Sequence, residues 1–258
     1  MCKPPRYARH TPLCFVPLYA LDPDNDEEPF RHHGTGTLVV YKGRPLLLTA
    51  AHVVEDARDR LAVFSTADFK VHRLRDEFSM SPIPAGQDRA DDFLDVAAIA
   101  LDPEFAAGVT FLSIGFYVLP EIPPNNLVAG VELMFAGYPA TTAAGKSHAY
   151  HFSDGAQIVL RPQCVNTPLL PVLEYPAPLT ADCLVSPFMN LSTREDDEWA
   201  EATFLPPGMS GGPVFAVQGD DVRLVGVATN WGNKEGYFVG THLAPVAAVI
   251  EHAVATAH

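Results

Sequence analysis

Prolines and glycines interrupt this chain so often that they limit it to short structural elements. The 258 residues include 24 prolines and 18 glycines. Both residues mark turns and are unfavourable inside helices, so the pattern favours short strands over long helices. Short apolar, strand-like runs lie at 14–19, 38–41, 46–49, 61–64, 70–74 and 96–101, and again at 132–135, 157–160, 213–217, 224–228 and 237–239. We therefore expect an all-β protein.

Few segments predict anything other than a strand. Residues 50–56 favour a short helical turn, and residues 243–254 repeat apolar side chains at helical spacing. The stretches GTGT at 34–37 and KGRP at 42–45 predict turns. Residues 102–130 suit a connection between two units, and the Pro-rich residues 165–208 predict surface loops, a specificity loop among them.

Charge and cysteine spacing exclude several classes of function. The net charge of −14 opposes binding to phosphate backbones, so no nucleic-acid partner is expected. The sequence has no run of 18 apolar residues, so no membrane-spanning helix is expected. The N-terminal segment does not resemble a signal peptide. The four cysteines lack zinc-ligand spacing, so neither a metal nor a cofactor is expected. They predict reduced thiols and a cytoplasmic protein, although a Cys164–Cys183 bridge stays open.

Residues 207–214, PGMSGGPV, are the strongest chemical signal. A nucleophilic serine must present its hydroxyl while nearby backbone N–H groups point at the oxygen that becomes negative. Such a turn needs unusual dihedral angles and no obstructing side chains, which glycine provides. The motif therefore indicates Ser210 as a nucleophile, with a plain glycine-rich turn as the alternative.

A histidine and an aspartate with matching properties precede that serine. His52 ends the apolar run LLLTAAH, and an imidazole is the natural base for a serine because its pKa lies near neutral pH. Asp95 stands directly before an apolar strand, where its carboxylate could orient an imidazole. Asp91 and Asp92 compete for this role. The chain has ten histidines, so the context at the strand end is what distinguishes His52.

The three motifs, in the order His, Asp, Ser, resemble the chymotrypsin/trypsin-like serine peptidase family, and bacterial members in particular. The resemblance implies two six-stranded antiparallel β-barrels, an active site in the cleft between them and a C-terminal α-helix. It divides the chain into a lead-in at 1–33, a first barrel at 34–115 and a second barrel with the helix at 116–258. It also implies a triad of His52, Asp95 and Ser210, with the N–H groups of Gly208 and Ser210 as the oxyanion hole.

Departures from the family pattern bear on activation and compartment. Val53 stands where secreted members carry cysteine, which favours a reducing compartment. Met209 stands where zymogen-type members carry aspartate, so activation by N-terminal cleavage is not expected. The resemblance implies that Phe204, Thr229, Asn230 and Trp231 bind substrate, with an ordinary core position as the alternative for Phe204. None is acidic, which favours a small or apolar side chain before the scissile bond over lysine or arginine.

The sequence thus predicts a serine endopeptidase that forms an acyl-enzyme on protein or peptide substrates. Two alternatives stay open. A catalytically weak peptidase-like module could bind a partner, and an esterase could use the same triad. A regulatory protein partner is also left open.

Overall fold

The described part of the chain is mostly β-structure. The computed structural model describes residues 13–22, 30–65, 70–74, 77–83, 89, 94–109, 115–139, 141–142, 163–176, 178–187, 204–205, 207–232 and 236–256. Within these ranges there are two large sheets, a two-stranded pair and three α-helices. The all-β expectation is confirmed at this level.

The strands fall into two groups along the sequence. Those of the first half are β1 (Phe15–Leu21), β2 (Phe30–Tyr41), β3 (Arg44–Thr49), β4 (Leu61–Ser65), β5 (Lys70–Arg73), β6 (Ser79–Met80), β7 (Ala97–Ala100) and β8 (Tyr117–Leu119). Those of the second half are β9 (Glu132–Gly137), β10 (Thr141–Thr142), β11 (Gln163–Pro168), β12 (Cys183–Pro187), β13 (Phe204–Leu205), β14 (Pro213–Gln218), β15 (Asp221–Gly232) and β16 (Tyr237–His242). The helices are α1 (Ala51–Ala57), α2 (Pro103–Val109) and α3 (Ala247–Ala255).

The N-terminal sheet is organised around the long strand β2. Its order is β5-β4-β1-β2-β3-β7-β6, with antiparallel neighbours throughout. Strand β1 pairs with β2 only as far as Thr37, so the same edge is open at Val39–Tyr41, where β8 adds in parallel. The sheet therefore has eight strands in the described residues, where six were expected.

The C-terminal sheet is antiparallel and has six strands in the described residues, in the order β11-β9-β14-β15-β16-β12. Strands β10 and β13 form a separate pair. Strand β12 lies in residues 165–208, which the sequence predicts to be surface loops. Four of the five residues in its run CLVSP are buried, and the strand pairs with β16. The prolines of this segment thus led to a wrong prediction of loop structure for a core strand. The last four residues of β11 and both residues of β13 also lie in this segment, so the prediction of loops is wrong there too.

Residues 34–37 lie inside β2 and not in a turn as predicted. The glycines of GTGT serve close packing. A Cβ on Gly34 would come within 2.8 Å of Val53, and one on Gly36 within 3.0 Å of Leu47. A glycine in a strand often marks such an approach. The next predicted turn is confirmed: Lys42 and Gly43 both have positive φ, as a two-residue hairpin requires.

Two further segments differ from the sequence-based expectations. Strand β1 confirms the strand expected at 14–19, whereas the start of β2 falls in the part of the segment 1–33 that was expected to be irregular. The connection at 102–130 contains helix α2 and strand β8. The strand expected at 157–160 lies outside the described residues.

One core cluster joins the two sheets and the C-terminal helix. It brings together Leu46 and Leu48 of β3, Phe215 of β14, and Ile250 of α3, all fully buried. Helix α3 follows the C-terminal sheet in the chain, yet it packs against β3, β6 and β7 of the N-terminal sheet. Apolar burial of this kind is the main force that holds such elements together. It therefore fixes the two sheets relative to each other beside the site described next.

Candidate active site

Asp95 and His52 are joined by two hydrogen bonds. The His52 backbone N–H donates to Asp95 Oδ1 at 2.9 Å, and His52 Nδ1 lies 2.5 Å from Asp95 Oδ2. His52 is the second residue of α1, and the Ala51 N–H also donates to the Asp95 carbonyl, so the helix start is bound to a residue two positions before β7. The Asp95 side chain is only 5% exposed, whereas that of His52 is 33% exposed. The pair is thus anchored on its carboxylate side and open on its imidazole side.

The open side of the pair faces a pocket that Ser210 shares. The pocket has a volume of about 350 Å³ and lies between the N-terminal and C-terminal sheets. Its lining residues are His52, Glu55, Asp56, Arg89, Asp95, Ser210, Thr229 and Asn230. The three residues expected as a triad therefore lie around a single cavity, although they come from distant parts of the sequence. A larger cavity of about 520 Å³, between β7 and α3, contains none of the three.

Four consecutive carbonyl groups around Ser210 all accept hydrogen bonds. Gly208 O accepts from Thr35 Oγ1 at 2.8 Å, and Met209 O from the Gly212 N–H at 2.9 Å. Ser210 O accepts from the Thr35 N–H at 2.8 Å, and Gly211 O from Thr37 Oγ1 at 2.8 Å. We call residues 207–212 the serine loop. Because these bonds fix its carbonyls, the orientation of its peptide planes is set by β2 and by the loop itself.

The N–H groups of the serine loop divide into two sets. Those of Gly211 and Gly212 are bonded to Ala228 O and Met209 O. No backbone hydrogen bond between described residues uses the N–H groups of Gly208 or Ser210. Gly208 has a φ of 93°, a conformation that favours glycine. This loop has four bound carbonyls, and the N–H groups of Gly208, Met209 and Ser210 have no backbone partner among the described residues, so it is suited to stabilise a negative oxygen.

Two glycines allow the serine loop to pack against both sheets. A Cβ on Gly211 would lie 1.9 Å from Thr35 O and 2.1 Å from Thr49 Oγ1, and one on Gly212 would lie 1.9 Å from Ala136 O. Such distances are impossible for real atoms, so only glycine fits at either position. The glycine-rich sequence is thus required by contact with the surrounding strands as well as by the turn.

The environment of His52 raises the pKa of its imidazole. Burial acts to lower that pKa, but the hydrogen bond and the negative charge of Asp95 act in the opposite direction and outweigh it. The pKa of His52 consequently lies above its ordinary value of 6.5. An imidazole in this state holds a proton more readily than in water, which suits a base that must accept one from a weak acid.

The structure describes the side chains of two of the four residues expected to bind substrate. Thr229, which is buried, and Asn230, which is exposed, both line the pocket from β15. The backbone of Trp231 pairs with Phe238, and that of Phe204 with Thr142, but the side chains of Trp231 and Phe204 lie outside the described residues. Asp91 and Asp92, the competitors of Asp95, lie outside them too.

Sequence reasoning missed three charged residues of the pocket. Glu55 and Asp56 follow His52 at helical spacing on α1, a signal that could have placed them beside it. Arg89 had no such signal. Its guanidinium lies 2.7 Å from Glu55 Oε1 and donates to Ser81 O at 3.0 Å. The pocket wall on this side is therefore an ion pair with a further carboxylate, Asp56, next to it.

The described residues were compared with the patterns of metal sites and membrane spans, and the sequence with known proteins. The described residues contain no group of three His, Cys, Asp or Glu side chains placed to hold a metal ion. None of their helices has the length and apolar character needed to span a membrane. No protein-family model matches the chain, and a search of curated proteins found no match.

Proposed function

We propose that this protein is a serine endopeptidase with the catalytic triad His52, Asp95 and Ser210. The observation that carries the proposal is the placement of the doubly hydrogen-bonded Asp95–His52 pair and Ser210 around one pocket. An aspartate, a histidine and a serine that share a cavity are suited to acyl transfer.

In the proposed reaction the Ser210 hydroxyl attacks the carbonyl carbon of a peptide bond while His52 accepts its proton. Asp95 keeps the imidazole in the tautomer with a proton on Nδ1 and stabilises the imidazolium that forms. The N–H groups of Gly208 and Ser210 bind the oxygen that becomes negative. His52 then protonates the leaving amine, and water attacks the acyl-enzyme by the same route to release the carboxylic acid and restore Ser210.

The proposal extends to the fold and the cellular setting. We infer that the two sheets are the two β-barrels of the chymotrypsin-like architecture, with the substrate in the cleft between them. A reducing, cytoplasmic setting is supported by the free thiols of Cys14, Cys164 and Cys183, the cysteines in the described residues. Thr229 and Asn230 are the described residues that would contact the substrate.

A fluorophosphonate probe tests the nucleophile directly, because it phosphonylates an activated serine with loss of fluoride. We expect the wild-type protein to be labelled at Ser210, as mass spectrometry of the labelled peptide would show, and to cleave members of a peptide library. Ser210→Ala should abolish both activities without loss of folding, since it removes one partly exposed oxygen. His52→Ala should reduce labelling nearly as far, because an unassisted serine is a weak nucleophile.

The controls distinguish the other functions left open by the sequence. A folded wild-type protein that is not labelled would refute the proposal and favour a partner-binding module. Labelling together with hydrolysis of esters, but of no peptide in the library, would favour an esterase. Equal peptide hydrolysis by wild type and Ser210→Ala would exclude Ser210 as the nucleophile.

A further inference from the structure

Thr35 uses every polar atom that it has to connect three parts of the molecule. Its N–H donates to Ser210 O and its hydroxyl to Gly208 O, both at 2.8 Å. The same hydroxyl accepts the Tyr138 N–H at 3.0 Å, and its carbonyl accepts from Thr49 Oγ1 at 2.9 Å. Thr35 is fully buried. One residue of β2 therefore holds the serine loop to the N-terminal sheet and, through Tyr138, to the end of β9.

We propose that Thr35 is a positioning residue for catalysis, which sets the oxyanion site by fixing the Gly208 carbonyl through its hydroxyl. The inference rests on the proposed function. Thr35 is distinct from the triad, since its contacts are with the loop that carries the nucleophile and the oxyanion donors. The other threonine that bonds this loop, Thr37, reaches Gly211 on the far side of Ser210.

The Gly208 carbonyl needs such a partner because glycine does not hold its own dihedral angles. With a φ of 93° and no Cβ, Gly208 has other backbone conformations open to it at little cost. A rotation there would turn its N–H away from the substrate oxygen. The hydroxyl of Thr35 selects one orientation of the Gly208–Met209 peptide, while the Thr35 N–H holds Ser210 two residues later. Preorganisation of this kind is the main source of transition-state stabilisation by oxyanion holes.

If the Thr35 hydroxyl had a purely structural role, its removal would lower stability without a specific loss of labelling or kcat. A comparison of stability with these rates therefore tests the inference. Thr35→Val keeps the shape and the backbone N–H but loses the hydroxyl. Thr35→Ser keeps the hydroxyl. Thr167→Val is the matched control, because the mostly buried Thr167 also donates its hydroxyl to a backbone carbonyl, that of Pro187, away from the serine loop. Each variant would be assayed for its fluorophosphonate labelling rate, for kcat and KM on one cleaved peptide, and for its urea midpoint.

We expect Thr35→Val to slow labelling and lower kcat by about tenfold or more, with KM within about twofold, since a full oxyanion donor accounts for roughly 10²–10³. Thr35→Ser should retain activity within about threefold of wild type, on the same scale. Thr167→Val should lose stability without loss of labelling. If Thr35→Val does not fold, Thr35→Cys, with its weakly donating thiol, replaces it with the same expectation.

Three outcomes separate the inference from the proposed function. Labelling of Thr35→Val at the wild-type rate would overturn the inference and leave the serine-peptidase proposal intact. An equal loss of labelling in Thr167→Val would overturn it too, since the effect would then follow stability. A wild-type protein that is not labelled would refute the proposed function, and the inference with it.

Discussion

Asp95 accepts two hydrogen bonds from one residue, the backbone and the ring of His52. The first bond fixes where α1 begins, and the second fixes the direction of the imidazole. A residue with both roles has two separable effects, one on the local structure and one on the chemistry of the base. Asparagine at position 95 would separate them, because its amide oxygen can accept one bond but its amide nitrogen cannot accept the other.

We therefore predict that Asp95→Asn folds but loses roughly 10⁴-fold in kcat, the loss typical of a triad with the wrong tautomer. The pKa of His52 should also fall, because the carboxylate that raises it is gone. In the wild type the rate should rise with pH through a pKa above 6.5, as His52 loses its proton. In the variant the residual rate should rise at lower pH, which a pH–rate profile of kcat/KM would show.

The control for this variant is a test that it is folded, by circular dichroism and by its urea midpoint. A rate within about tenfold of wild type would contradict the role given to Asp95, given the size of the expected loss. An unshifted pH profile at low activity would argue that Asp95 acts only on structure.

The three residues of the proposed triad could be selected from the sequence because each sits at a recognisable boundary. His52 ends an apolar run, Asp95 precedes one, and Ser210 is flanked by glycines. Thr35 could not be selected in this way, because a threonine between two glycines gives no sign of which carbonyl its hydroxyl will reach. Arg89 was missed for a similar reason: its partner Glu55 lies 34 positions away in the chain, so the pairing depends on tertiary structure.

The serine loop has no room for added side-chain atoms at Gly211 or Gly212. We predict that Gly211→Ala lowers the free energy of unfolding by about 3 kcal/mol or more, from a clash added to backbone strain. The added Cβ would lie 1.9 Å from Thr35 O, and the residue has a φ of 90°. Gly115→Ala is the matched control, because nothing lies within 4 Å of its Cβ position. It should change stability by less than about 1 kcal/mol.

Urea unfolding of the two glycine variants and the wild type would test this prediction. Similar midpoints for Gly211→Ala and Gly115→Ala would mean that the loop can move away from β2, contrary to its four bound carbonyls.

Short strands were predictable where apolar runs stood between turns, and less so where long-range pairing decided the structure. Strands β3, β4 and β14 match their runs closely. Strand β8 has only three residues and exists because one edge of β2 is unoccupied beside it. Strand β12 depends on β16, which arrives some 50 residues later in the chain. No local pattern contains that information.

Across the whole molecule, two histidines link stability to pH, the partly buried His32 and the buried His242. Burial lowers the pKa of His32 and of His242 to about 4 in each case. Both are neutral in the folded state at neutral pH, whereas the unfolded chain binds a proton at each near pH 6.5. Because the unfolded state then binds more protons, stability is greatest above pH 6.5 and falls as the pH drops towards 4.

We predict that the free energy of unfolding falls by about 2 kcal/mol for each histidine as the pH is lowered from 7.5 to 5. His242→Leu tests this, because both ring nitrogens of the buried His242 lack a hydrogen-bond partner among the described residues. Urea unfolding at the two pH values should show a smaller pH dependence in the variant than in the wild type. The same dependence in both proteins would contradict the role of His242.

The position of α3 has a consequence for the order in which the molecule can fold. Its Ile250 fills the core beside β3, yet it follows the whole C-terminal sheet in the chain. During synthesis the N-terminal sheet must therefore wait, with that part of its core open, until the ribosome has completed almost all of the described sequence. Closure of such distant contacts is slow, and exposed apolar surface invites aggregation in the meantime. The pocket shared by His52, Asp95 and Ser210, which needs both sheets, then forms only in the final stage of folding.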